Sequence, residues 1–123
     1  MIPSYNDKFL SLSAASADHV IADKLYIPQS GDFTVSVWAR TNNIVPGQCI
    51  EILSQGTSGD NGFYIGYNEA GYIRVGDSWG GWSANGIGLS FPADGGWHCY
   101  QVVKRGDVGY LYIDGKLAGS SER

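Results

Sequence analysis

The chain has 123 residues and a mass of 13.2 kDa, the size of one ordinary domain built around a single core. Glycine accounts for 18 residues and aromatics for 13%, against 16% charged residues, a turn-rich β composition that excludes long amphipathic helices, coiled coils and intrinsic disorder. A net charge of -4 leaves no basic surface to neutralise a phosphate backbone, so nucleic acid is excluded as a partner.

The N-terminus, MIPSYNDKFL, lacks the charged start and apolar stretch of a signal peptide. No apolar run approaches the ~20 residues that cross a bilayer, so membrane insertion is not expected. The first predicted strands are Phe9 to Ser13 and His19 to Ala22. In FTVSVWAR, Phe33, Val35, Val37 and Ala39 alternate with Thr34, Ser36, Trp38 and Arg40, the pattern of a half-buried strand. Further strands are predicted over Cys49 to Gln55, Gly62 to Asn68, Tyr72 to Gly76, Trp97 to Lys104 and Gly109 to Asp114, all rich in β-branched or aromatic residues. Trp38 and Trp97 lie within these runs and read as structural. Tyr64, Tyr67, Tyr72, Tyr110 and Tyr112 read as cross-strand partners. The runs are separated by turn formers such as Ser58-Gly59-Asp60-Asn61-Gly62, Asn68-Glu69-Ala70-Gly71, Asp94-Gly95-Gly96 and Asp114-Gly115, which supply the positive φ that hairpins need. The pattern predicts an all-β fold, a single antiparallel two-sheet β-sandwich over residues 1–123 with no internal repeat. Cys49 and Cys99 show no CxxC spacing, so a zinc or redox site is not expected, and free half-buried thiols are favoured over a single disulfide, local sequence not showing whether their strands are neighbours.

One segment stands outside the strand pattern. Gly76-Asp77-Ser78-Trp79-Gly80-Gly81-Trp82-Ser83-Ala84-Asn85-Gly86 sets two indoles in a glycine-rich loop. Three readings stand: the indoles fold back to cap the sandwich, they anchor a protein interface, or they stack on the apolar face of a sugar. In the third reading Trp79 and Trp82 supply the stacking faces, and Asp77 and Asn85 bond the sugar hydroxyls.

The order of these pieces carries a resemblance. DGGWHCYQVVKRGDVGYLYIDGKLAG, a Gly-Trp-His strand followed by a hairpin at Tyr-x-Asp-Gly-Lys, together with FTVSVWAR and the hairpins between them, resembles the laminin-G-like domains of the concanavalin A-like lectin/glucanase superfamily. The likeness runs from about Phe9 to Ser120 and implies a jelly-roll sandwich. Members of that family usually continue past the Asp-Gly hairpin, so the chain is expected to leave a sheet edge open. A fragment, a tolerated loss of the last strand, and an edge completed by a neighbouring subunit all fit. The family also implies a calcium ion at the rim of the sandwich. Asp60, Asn61 and Asp77 are the candidate oxygen ligands, although the same residues are ordinary turn formers.

Glycoside hydrolysis, the enzyme activity the family invites, needs two carboxylates on one strand face. The only glutamates are Glu51, Glu69 and Glu122, and none has an acidic partner at strand spacing. No Gly-x-Ser-x-Gly motif is present, and His98, inside the Trp-His strand, reads as a structural imidazole. The expectation is therefore a non-catalytic binding module for glycan or another surface ligand, of the kind carried by an adhesin, a secreted polysaccharide enzyme or a viral fibre. The alternative is a structural or decoration protein of an assembly such as a phage virion, working as a homo-oligomer or beside capsid or fibre neighbours. Either places it outside the cell or on a virion surface.

Overall fold

The computed structural model describes residues 9–28, 30–57, 60–77 and 89–122. After a short 3-10 turn at Ala14–Ser16 come strands β1 (Phe33–Ala39), β2 (Ile50–Thr57), β3 (Asp60–Tyr67), β4 (Ile73–Asp77), β5 (His98–Arg105), β6 (Val108–Ile113) and β7 (Lys116–Glu122). They form two antiparallel sheets, ordered β1-β5-β6-β7 and β2-β3-β4.

Period-two patterning puts the apolar side chains between the sheets. Phe63, Ile65 and Tyr67 of β3 and Ile73 and Val75 of β4 meet Tyr100 and Val102 of β5 and Leu111 of β6, all buried. The alternation of β1 holds, with Phe33, Val35, Val37 and Ala39 packed on this core. Rings join the sheets at both ends. Phe33 meets Phe63 edge-on at 5.7 Å, while Phe91 stacks on Tyr100 at 5.1 Å and tilts against Tyr67 at 5.3 Å.

The turns follow their chemistry. Asp114 (φ 51°) and Gly115 (φ 79°) make the two-residue hairpin between β6 and β7, both in the left-handed region that a type I′ turn demands. Between β3 and β4, the Asn68 side chain accepts the Ala70 and Tyr72 N–H groups, each at 3.0 Å. At Gly66 the reason for glycine is space: a Cβ there would run into the Ile50 carbonyl and the Glu51 Cα, where β2 bulges against β3.

Three expectations are corrected. Phe9 to Ser13 and His19 to Ala22 are not strands: they have β-favouring residues but, among the described residues, no strand alongside, and a strand exists only by pairing. Instead, residues 9–28 run as an irregular strap. Ser13 N–H bonds the Asp18 carboxylate at one end, and at the other Gln55 accepts the Tyr26 and Ile27 N–H groups and donates to the Ile27 carbonyl. Trp97 precedes β5 rather than lying in it. Lys116–Glu122, poor in β formers, is a strand because the Asp114-Gly115 turn aims it back along β6. Both cysteines are free: Cys49 is exposed just before β2, and Cys99 is half-buried on β5.

Candidate functional site

The register defines two rims. One holds the start of β1, the β5–β6 hairpin and the β2–β3 hairpin, tied together by Gly106 N–H to the Asp32 carboxylate (2.8 Å), Lys104 Nζ to the Gly31 carbonyl (3.2 Å) and the Phe33–Phe63 contact. At this rim Asp60 opens β3 opposite Thr57, with Asn61 beside it, and Asp77 closes β4 opposite Phe63. The backbone positions of Asp60, Asn61 and Asp77 therefore lie on neighbouring strands at the same end of one sheet. Their side chains, and all of Trp79, Trp82 and Asn85, lie outside the described residues. β4 ends at Asp77, and beyond residues 78–88 the Leu89 carbonyl accepts the Ile73 N–H at 2.7 Å and Ser90 bridges to Tyr72. Among the described residues no three His, Cys, Asp or Glu side chains are grouped to hold a metal ion.

The opposite rim is fastened by His98. Its Nδ1 faces Asp114 Oδ2 at 2.7 Å, and its Nε2 faces Asp94 Oδ1 and Oδ2 at 3.0 and 3.1 Å. An imidazole with a carboxylate on each nitrogen donates twice only when protonated. The bonds to Asp114 and Asp94 accordingly raise the His98 pKa, and the bond to His98 lowers that of each aspartate. Asp114 also accepts the Cys99 N–H at 2.9 Å, and Asp94 the Gly96 N–H at 2.8 Å. His98 thus joins the β6–β7 turn to the loop before β5. Its two partners lie four residues before it and sixteen after, and only the hairpin register brings the second one close.

Beside this clamp the Arg40 guanidinium lies 5.0 Å from the Phe9 ring centroid and 5.5 Å from that of Trp97, and the two rings meet edge-on at 5.7 Å. No local signal announces this cluster, whose members are far apart in the chain. A third feature is a cleft of about 870 Å³ along the side where β1 and β2 edge their sheets, roofed by the strap. Val20, Ile21, Ile27, Phe33 and Ile52 supply its apolar wall, and Gln55, Asp18 and Glu51 its polar groups.

Glu51 is exposed on β2, whereas Asp94 and Asp114 are both engaged by His98. Among the described residues no helix is long and apolar enough to cross a membrane. Two antiparallel sheets over one core, with loops gathered at two rims, define a lectin-like β-sandwich of the binding-module class. The chain belongs to the concanavalin A-like lectin/glucanases superfamily: a laminin-G-type model of that superfamily matches residues 14–123. Its laminin-G-like domains are generally non-catalytic, and the superfamily also includes glycosidases. Comparison with curated proteins and with solved structures gave no match.

Proposed function

We propose that the protein is a non-catalytic module that recognises glycan on a surface outside the cell or on a virion, through the rim where β3 begins and β4 ends, with Trp79, Trp82 and Asn85 as the sugar contacts. The observation that carries this reading is the register, which sets Asp60 at the start of β3 and Asp77 at the end of β4 on one rim. The segment with Trp79, Trp82 and Asn85 continues directly from Asp77. Aromatic faces beside carboxylate and amide groups are what a pyranose needs, stacking on its C–H face and bonding to its hydroxyls.

A glycan array followed by titration calorimetry tests the reading. Trp79→Ala and Trp82→Ala are expected to keep the melting temperature and to lose ~1–3 kcal/mol of affinity. Absence of any glycan ligand, or affinity untouched by both substitutions, would remove the assignment. Calcium bound by Asp60, Asn61 and Asp77 belongs to the same proposal. At 100 times its dissociation constant the ion stabilises the native state by about 2.7 kcal/mol, so a chelator should lower the melting temperature. An unchanged melt would sink the ion.

A second reading, a structural or decoration protein of a larger assembly, is favoured by a separate observation. Val20 and Ile21 on the strap are 68% and 80% exposed, as only residues awaiting a neighbour or tolerating water are. Sedimentation with isolated particles is the corresponding test.

A further inference from the structure

The strap concentrates large apolar side chains in water: Val20, Ile21, Leu25 and Tyr26, with Leu10 and Leu12 nearby, are all more than half exposed. The Ser13 N–H bond to Asp18 closes a turn inside the strap, Gln55 ties its far end to β2, and the backbone of residues 19–25 makes no hydrogen bond among the described residues. A short β-favouring run with free donors and acceptors, followed by a bend at Asp23 and Lys24 and then by the Gln55 anchor, is an edge ready for pairing.

We propose that residues 18–24 pair antiparallel with the same segment of a second copy of this chain, about a two-fold axis through Ile21. The charge pattern selects both the occupant and the register. Asp18-His19-Val20-Ile21-Ala22-Asp23-Lys24 is complementary to its own reverse. With the axis on Ile21, Asp18 faces Lys24 of the partner subunit, His19 faces Asp23 of the partner subunit, Val20 faces Ala22 of the partner subunit, and the two Ile21 side chains meet at the centre. An axis between Val20 and Ile21 sets Asp18 against Asp23 of the partner subunit, two like charges. An axis between Ile21 and Ala22 sets His19 against Lys24 of the partner subunit and Asp23 against an apolar Val20. Only the register centred on Ile21 matches every charge, and like charges directly opposite one another destabilise a ladder.

Alternation then puts Ile21, His19 and Asp23 on one face and Val20, Ala22, Asp18 and Lys24 on the other. Each face has an apolar middle and a charged rim, as a specific interface does. Asp23 already accepts the Tyr26 hydroxyl on Oδ1 at 2.7 Å, which holds it in the strap and leaves its second oxygen for the partner. A two-fold contact of this kind is self-complementary and closes at the dimer.

Sedimentation equilibrium of the full chain over a concentration series tests the pairing without any glycan. A monomer–dimer equilibrium is expected. Ile21→Lys, which sets two ammonium groups against each other, should weaken it about tenfold or more at an unchanged monomer melting temperature. Lys24→Asp, which sets two carboxylates against each other across the pair, should weaken it as well. In a Cys49→Ser, Cys99→Ser background, oxidised Ile21→Cys should form a covalent dimer, because opposed residues of an antiparallel pair lie within disulfide reach. Val20→Cys, facing Ala22 of the partner subunit, should not. A chain that stays monomeric at every concentration overturns the proposal. So does a dimer indifferent to Ile21→Lys or to Lys24→Asp, or a cross-link that forms at Val20 rather than Ile21.

Discussion

The rim fastened by His98 and the strap over the β1–β2 side are built from similar residue types and end in opposite states. At the rim, Asp114 closes a turn, bonds the Cys99 N–H and holds one face of an imidazole whose other nitrogen meets Asp94. Each polar group there answers another, and Tyr100, His98's neighbour but one on β5, is buried beneath. In the strap the same β-favouring chemistry, with Val20, Ile21, Leu25 and Tyr26, finds no strand to pair with and stays exposed. Apolar composition alone does not make a core. A second layer has to be within reach, and hairpin register supplies one for β5 to β7 but not for residues 18–25.

The contrast can be broken most heavily at the core. Leu111→Ala, at a position fully buried between the sheets, should cost about 2–5 kcal/mol by urea unfolding at concentrations where the chain is monomeric, whereas Ile21→Ala in the strap should there stay within about 0.5 kcal/mol. A comparable loss at both sites would mean that the strap belongs to the core. Next comes Gly66→Ala, where the added methyl meets backbone rather than a movable side chain. A loss of about 1–3 kcal/mol is expected, and an unchanged midpoint would contradict the tight β2–β3 bulge.

His98→Leu sharpens the comparison through pH. The raised His98 pKa contributes stability that is whole below the unfolded imidazole value of 6.5 and fades as pH rises through the higher folded value. The lowered Asp94 and Asp114 pKa values contribute stability that is present above 3.8 and lost as pH falls through their folded values. The parent should therefore exceed His98→Leu most between those limits, with the difference shrinking toward either end. A pH-independent difference would show that the clamp acts by packing alone. The smallest global effect belongs to Gln55→Ala, which removes the hydrogen bonds that hold Tyr26 and Ile27. Amide exchange should quicken at those two residues while core amides in β5 keep their protection. Loss of protection throughout the sheet would join the strap to the global unfolding unit.

Much of the frame could be read along the chain. The alternation in FTVSVWAR placed β1 and its inward face, and Asp114-Gly115 announced a hairpin because few other pairs accept two successive positive φ values. The strap and β7 could not be read this way. His19 to Ala22 has the better strand chemistry and Lys116–Glu122 the worse, yet only the latter pairs, because a tight turn delivers it to β6. The site was legible to the same degree. That Asp60 and Asp77 share a rim follows from register, and so does the reach of Asp114 to His98, whereas local motifs show neither.

By itself the sequence determined the β class, the sites of the turns, the inward residues of most strands and the lack of carboxylates paired at strand spacing. All are encoded within a few neighbouring residues by propensity and a period of two. The tertiary structure decided which β-favouring runs become strands, which carboxylates flank His98, and where Phe9, Arg40 and Trp97 meet. Each of these depends on two segments distant in the chain being brought within a hydrogen bond or a ring contact of one another, and sheet register sets that distance.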